Sequence, residues 1–547
     1  MWKRYLIPGI VFTALTVFVL YPILCVIFRS FSTGHGAGLD VYARLFSNPG
    51  LARTVWSSIG VAIASSIVAT LLGLCIAIVV FKTDLPFRRL FSATAVLPLI
   101  IPGFVATLAF IFLFGRNGII SYQWLGLDLD IYSWKSVLSV QAVDFTTIAF
   151  LLISAVLTTV DSQVEDAARN LGASEWKVFT TVTIPLVRPG IIASLILIFM
   201  RSMADFGTPL LIGGKFNTLA SASYTQLIGR YDMPMASALN TLLLIACILA
   251  FWLYLRAQKS QSAVRAHYVA ERKNLNLPAP IRYALWVMSL LFSIYILMII
   301  ISVFLAAFTK HLGANYALTL EYFCMLPQRS LNSIINTIVF ASGAAVTMSF
   351  TGVVLAYICT RTRFRGRGVL EFIATLPFAV PGTLIGVGYI LAFNQVPLLL
   401  TGTWVIVFML VLIRELPLGL RSGISVLEQQ DRSIDEASTN LGASRITTFF
   451  QIILPMAKSA LLVSSLYAFV STVQTVGAII FVITPGTKLL SVDVFEAIYK
   501  GEIGVAAAQS VTMLLVSAIG VAAIYLISQR EATARWMRKV MAQTRSI

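Results

Sequence analysis

Charge is scarce in this chain: only 12% of its 547 residues are Asp, Glu, Lys or Arg, against about 25% in an ordinary soluble domain. So few charges cannot cover a water-facing surface of this size, which excludes a soluble enzyme. Histidine is scarcer still. His35, His267 and His311 lie in apparent loops without ligand-like spacing, so neither a metal site nor histidine catalysis is expected. The five cysteines, Cys25, Cys75, Cys247, Cys324 and Cys359, are odd in number and scattered through mostly apolar stretches, and give no disulfide framework or zinc site. A phosphate loop of the form GxxxxGK[ST] is missing too, since Gly213-Gly214-Lys215 lacks the first glycine and the Ser/Thr.

Apolar residues dominate instead, at 58% of the chain. Tyr5 to Phe28 runs 24 residues without a charge, enough as a helix to exceed the roughly 30 Å hydrocarbon core of a bilayer. Lys3 and Arg4 before it suggest a signal peptide, but the stretch is too long and lacks a small-residue cleavage site, so a first membrane helix is expected. Similar stretches follow at about 55–81, 90–115, 139–160, 189–212, 237–255, 283–309, 332–359, 369–393, 401–421, 459–483 and 506–528. The expectation is an all-α polytopic membrane protein with about twelve transmembrane helices.

The net charge of +17 would suggest a nucleic-acid partner in a soluble protein, but here its placement gives another reason. With a cytoplasmic N-terminus, the inner segments hold 27 of the 40 Lys and Arg residues, the outer ones 11, and two, Arg201 and Arg414, fall within spans. The positive-inside bias then predicts both termini in the cytoplasm. The excess is topological, and no nucleic-acid partner is expected.

Internal similarity divides the chain into a first repeat (1–257), a basic linker (258–281), a second repeat (282–529) and a tail (530–547). Asp161 to Pro185 aligns without a gap to Asp431 to Pro455 at an offset of 270, and a second block pairs Gly73/Gly352, Leu97/Leu376, Pro98/Pro377, Pro102/Pro381 and Gly103/Gly382 at an offset of 279. Six helices per repeat is an even number, so the repeats are parallel and related by a pseudo-two-fold axis along the membrane normal, with a pathway expected between them.

The strongest motif lies between the fourth and fifth spans. Asp166-Ala167-Ala168 is followed by three residues, Gly172, nine residues, then Val182, Ile184 and Pro185; Glu436-Ala437-Ser438, Gly442, Ile452, Leu454 and Pro455 repeat it. Asp161 or Asp431 can cap a short helix, small residues leave a low face for docking, and Gly172 and Gly442 occupy a helix-terminating position that needs positive φ. Ser174 and Ser444 follow as caps of a second helix. A helix-turn-helix made twice suits contact with a two-fold symmetric partner.

This pattern resembles the EAA loop of binding-protein-dependent ABC importer permeases, and the fused layout resembles the ferric-iron transport group of that family, with thiamine and phosphonate relatives. The departures are mild: Asp166 for Glu, Ser438 for the second Ala, and Val182 and Ile184 in the first tail. The resemblance implies that Asp166, Ala167, Ala168 and Gly172, with Glu436, Ala437, Ser438 and Gly442, dock two copies of an ATPase subunit. That subunit would bind ATP and Mg, this chain having no cofactor of its own, and a periplasmic solute-binding protein would deliver solute at a bacterial inner membrane. Ferric iron is the first expectation, prompted by Ala204-Asp205-Phe206-Gly207-Thr208-Pro209; phosphonate, sugar phosphate, thiamine or polyamine are alternatives. An ion-coupled secondary carrier would share the parallel halves but leave the docking loops unexplained.

Pathway and gate candidates come from charges and helix breakers inside spans. Arg201 and Asp205, spaced i, i+4, would share a helix face; an intramembrane charge is costly and favours the bundle interior. Their counterparts Ser471 and Thr475 are uncharged. Gly207, Thr208 and Gly477 follow at a point where a helix can bend, and Pro98, Pro102, Pro377 and Pro381 break helices within the membrane. Asp144, Arg414 and Glu415 add further buried charges, with adjacent Arg414 and Glu415 expected to need separate partners.

Overall fold

A backbone in hydrocarbon must satisfy its own hydrogen bonds, so apolar stretches of this length become helices. The computed structural model describes residues 3–33, 36–259, 275–362 and 364–544. His35, His267, Arg265, Arg272, Lys273, Arg363 and Arg545, with most of the expected linker, lie outside the described residues. Among the described residues, nine helices are long and apolar enough to cross a membrane, including Pro8–Ser30, Pro49–Lys82, Trp134–Leu157, Ala279–Phe308 and Leu331–Arg361. Two further segments are bent pairs, Arg367–Phe378 with Gly382–Phe393 at 111° and Arg445–Met456 with Lys458–Gln474 at 71°. Trp404–Glu428, 25 residues, covers the remaining expected span and carries Arg414, Glu415 and Arg421.

The third span breaks where the duplicated prolines were expected to break it, whereas the expected bounds of the fifth span need correction. The third breaks at the duplicated Leu-Pro: a short 3-10 turn at Leu97–Leu99 precedes the helix Gly103–Phe114, and Leu376–Phe378 precedes Gly382–Phe393. The fifth helix of the first repeat ends at Ala204 rather than near residue 212, and that of the second at Gln474. It also begins early, at Glu175, with a π turn at Phe179–Thr183 that accommodates Pro185, which has no N–H to donate.

Two short hairpins were not legible in the sequence: Ser32–Thr33 with Gly36–Ala37, and Thr309–His311 with Asn315–Leu318. Each follows the first helix of its repeat.

The chain forms two compact units, one of Met1–Val26, Leu326–Asp493 and Thr512–Ile547, the other of Ile27–Met325 and Val494–Val511. In the first unit, the opening helix packs on second-repeat residues: Tyr389 donates its hydroxyl proton to the Phe18 carbonyl at 3.0 Å, and Phe18 meets Phe393 at 5.5 Å between ring centroids. In the second unit, Ala279–Phe308 does the equivalent with first-repeat residues, pairing Ser293 with Thr94 at 2.7 Å and donating from Trp286 to the Pro86 carbonyl at 3.1 Å. The sequence repeats and the compact units thus do not coincide, and the repeats interlock through their first helices. Each unit is centred on a triad of spans: Pro49–Lys82, Trp134–Leu157 and Ile184–Ala204 in one, Leu331–Arg361, Trp404–Glu428 and Lys458–Gln474 in the other.

Candidate functional site

The hairpin between the fourth and fifth spans has the same order of parts in both repeats, although its first helix follows a capping Asp161 in one and Arg432, without a side-chain cap, in the other. Asp161 accepts the Gln163 N–H at 2.9 Å and caps the helix Ser162–Asn170. Asp431 accepts the Ser433 N–H at 3.0 Å beside the helix Ser433–Asn440, and hydrogen bonding from Ser433 holds its carboxyl below the ordinary aspartate value. Losing the Asp161 cap costs about 1 kcal/mol of local helix stability. Asp161→Ala is accordingly expected to speed amide hydrogen exchange across 162–170 by several-fold, without changing exchange in Trp134–Leu157.

Both helices end in the same turn. Gly172 and Gly442 have φ of +83° and +82°; the Gly172 N–H bonds to Arg169 O at 2.9 Å and the Ala173 N–H to Ala168 O at 3.1 Å, with Gly442 to Thr439 and Ala443 to Ser438 at the same distances. These are the two bonds of a Schellman motif, which satisfies the last helix carbonyls. Ser174 then caps the next helix through the Lys177 N–H at 3.3 Å, and Ser444 through the Thr447 N–H at 3.1 Å.

The small residues divide between two faces. Ala167 and Ala437 are exposed, whereas Ser438 is buried and half-buried Ala168 packs against a core of Ile78, Val178, Phe179, Leu275 and Leu277. Ser438 in place of alanine is explained by Thr448, whose hydroxyl lies 2.8 Å from its own; in the first repeat these positions are Ala168 and Val178, so an apolar pair has become a hydroxyl pair. Asp166 is held by Arg169 at 2.7 Å, and Arg169 also reaches Glu175 at 2.8 Å. Leu171 and Leu441, matched between the repeats, are each 88% exposed, an exposure that sequence reading did not single out. Their signal was an apolar residue immediately before the turn glycine in both copies.

Sequence reading also missed an ion pair behind each hairpin. Lys82 meets both oxygens of Glu165 at 2.8 and 2.9 Å, with Thr183 donating to Glu165 at 2.9 Å, and Arg361 lies 3.4 Å from Asp435. Overlaying the repeats at their two offsets would have found them, base on base and acid on acid.

Inside the membrane, the proline breaks are closed locally. Ile100 donates to Leu97 O at 2.9 Å and Val105 to Pro102 O at 2.9 Å, with Ala379 to Leu376 O at 2.9 Å and Ile385 to Pro381 O at 3.2 Å in the second repeat. Pro98 and Pro377 each border a small cavity of about 10 Å³, room for one water, and Asp144 lines the first of them.

The fifth-span breaks gather the polar groups. Asp205 is extended at φ −77° and ψ 113°, so the shared helix face expected of Arg201 and Asp205 does not form. Its carboxylate instead accepts from Gln141 at 2.9 Å and from the Thr208 N–H at 3.2 Å, which starts the short helix Gly207–Ile212. The Gln141 carbonyl oxygen in turn accepts from Ser65 at 3.0 Å and Ser202 at 2.7 Å. In the second repeat Arg414 donates to Thr475 at 3.0 Å and Ser471 to Glu415 at 2.7 Å. Arg414 and Glu415 thus have the separate partners expected of neighbours on a helix, and they also approach one another at 3.7 Å. Gly477 lies against Gly382, where an added Cβ would sit 3.5 Å from the Gly477 carbonyl carbon. A cleft of about 630 Å³ is lined by Arg53, Lys215 and Arg230 with no carboxylate, at the end of Pro49–Lys82 remote from the hairpin.

Repeats of broken membrane helices, each with a capped helical hairpin between its fourth and fifth spans, define a multi-pass inner-membrane permease of an ABC importer. The family model described as binding-protein-dependent transport system inner membrane component matches twice, over residues 69–261 and 348–533, and the chain belongs to that family. It is similar to the ferric transport system permease protein FbpB of Actinobacillus pleuropneumoniae, 31% identical over 519 residues, covering 91% of this chain and 74% of the relative. Shorter relatives include the molybdenum transport system permease protein ModB of Haemophilus influenzae, 33% identical over 213 residues (37% of this chain, 93% of the relative). The sulfate transport system permease protein CysT of Escherichia coli is 30% identical over 215 residues, 38% of this chain and 76% of the relative.

Proposed function

We propose that this permease imports ferric iron, that its two hairpins dock two copies of a separate ATPase subunit carrying ATP and Mg, and that a periplasmic binding protein delivers the solute. The observation that carries the docking role is the duplicated hairpin with one turn geometry and one exposed leucine per copy. Asp166 through Gly172 and Glu436 through Gly442 are the docking segments, and the distribution of basic residues supports a cytoplasmic position for them and for both termini. ATP-driven closure of the ATPase pair then turns the pathway between inward and outward access. The breaks at Pro98, Pro102, Pro377 and Pro381, with Arg201, Asp205, Gly207, Thr208, Thr475 and Gly477, are where we place its gates. Similarity to FbpB over most of both chains supports iron; the molybdenum and sulfate relatives match a much smaller share of this chain.

Purification from native membranes in mild detergent, followed by mass spectrometry, is expected to recover a phosphate-loop ATPase at two copies per chain. Repeated recovery of the permease alone, from preparations that retain control complexes, would favour an ion-coupled carrier. Proteoliposomes of the recovered complex with its binding protein are expected to accumulate labelled ferric iron in preference to molybdate, sulfate, phosphonate, thiamine or a polyamine. Accumulation of one of those instead overturns the solute assignment alone.

A further inference from the structure

Each hairpin is fastened to a membrane-spanning helix by one cation–carboxylate pair, and the two pairs are copies of one another. Lys82 is the last residue of Pro49–Lys82, and its ammonium, with Glu165, is almost wholly buried, the side chains 6% and 0% exposed. Arg361 is the last residue of Leu331–Arg361, 5% exposed against 22% for Asp435. The bases correspond at the offset of 279 and the acids at 270, the same offsets that relate the spans and the hairpins. Each acid directly precedes the docking acid, Asp166 or Glu436; about 100° of helix rotation separates neighbours, so one faces the core while the next faces out.

Stability alone does not account for this arrangement. Withdrawing both partners of an ion pair from water costs several kcal/mol per ion, and well-packed apolar residues serve stability as well or better. What an ion pair adds is direction. The second pair is made with different side chains, Arg and Asp for Lys and Glu, yet joins the same two elements. There the guanidinium lies against Asp435 as a charge contact without a hydrogen bond and donates to the carbonyls of Leu427 at 2.9 Å and Gln430 at 2.8 Å, tying in the end of Trp404–Glu428. In the first repeat the extra tie runs from Glu165 to Thr183, at the start of the fifth span. Each hairpin is thereby held to two spans of its own repeat, and in the second Arg432 adds a further tie by donating to the Thr360 carbonyl at 3.4 Å.

We propose that Lys82–Glu165 and Arg361–Asp435 are positioning pairs that transmit displacement of each hairpin into the second span of its repeat, keeping ATP hydrolysis and pathway reorientation in step. This rests on the docking role assigned to the hairpins above. The test uses the complete importer in proteoliposomes, measuring solute uptake, ATP hydrolysis and ATPase stoichiometry on the same preparations. Glu165→Gln with Asp435→Asn is expected to retain two bound ATPase subunits and to hydrolyse ATP, while uptake per ATP falls about tenfold. Lys82→Arg with Glu165→Asp, which installs the second repeat's pair in the first, is expected to keep uptake per ATP near wild type. An unchanged ratio in the amide variant, or a proportional loss of uptake, hydrolysis and assembled complex in both variants, overturns the proposal. Wild-type permease that binds no ATPase overturns the docking role itself, and is read before any variant.

Discussion

Replacing Gly172 and Gly442 together by proline is expected to abolish ATP-driven uptake while the permease still inserts and purifies as a folded chain. Both glycines have φ near +80°, whereas the pyrrolidine ring fixes φ near −65° and removes the N–H. The substitution therefore forbids the turn and deletes the bond from residue 172 to Arg169 O, or from residue 442 to Thr439 O. Nothing lies within 4 Å of where a Cβ would be built at either position, so the damage is to turn geometry and not to core packing. With the turn lost, Leu171 and Leu441 leave their positions beside it, and the exposed face they form, the one proposed to dock the ATPase, goes with them. Alanine at both positions should be milder, since a left-handed non-glycine residue costs roughly 1–2 kcal/mol and keeps its N–H. The check is uptake and co-purified ATPase in proline, alanine and wild-type preparations; normal uptake by the proline variant would show that the hairpins do not carry the coupling.

The turn illustrates what the sequence made legible. A left-handed residue at a helix end has a strong local signature, glycine preceded by a short helix and followed by a serine cap, so Gly172 and Gly442 were readable from spacing alone. The approximate positions of the membrane helices were readable because solvation by lipid imposes one rule on every apolar stretch. Their interruptions were only half readable: Pro98 and Pro377 announced the third-span break, but no proline marks the end of the helix at Ala204 or Gln474. Gly207 and Gly477 signalled a bend nearby, but in the first repeat the exact exit is set as Asp205 turns to Gln141, 64 residues away, as well as to Thr208. The interlock of first helices was likewise invisible, because Phe18 and Tyr389 are 371 residues apart. Glu165 and Asp435 escaped notice for another reason: an acid next to an acid in a cytoplasmic segment reads as solvated surface until the partner helix is in place.

Gly352→Val is expected to cause the largest loss of folded protein of any glycine substitution in the paired spans, with Gly73→Val close behind. These residues are the crossing points of the second span on the fourth. A Cβ at Gly352 would lie 2.5 Å from the carbonyl carbon of Gly419 and 2.7 Å from its Cα, and one at Gly73 would lie 2.5 Å from Ala149 Cβ and 2.7 Å from Phe150 N. Helices in a bilayer gain little from hydrophobic burial against one another and associate through close packing, which small residues at the crossing permit. At Gly352 the obstacle is backbone, which cannot rotate away, so relief requires the helices to separate along their length. The cost should reach or exceed the upper end of the roughly 1–3 kcal/mol typical of overpacking. Gly419→Ala meets chiefly the end of a flexible side chain, Met348 Sδ at 2.6 Å, and should be tolerated better. Gly60→Ala has nothing within 4 Å and should be neutral or slightly stabilising, because alanine is the better helix former. Size-exclusion profiles and tryptophan-monitored melting in one detergent would rank the four, and a Gly352→Val protein that melts with wild type would show that these helices do not cross at backbone contact. The crossing also bears on transport. Lys82 and Arg361 each lie nine residues beyond the crossing glycine, about 14 Å along the helix, so a contact that fixes the rotation of the second span also fixes where its terminal cation meets the hairpin.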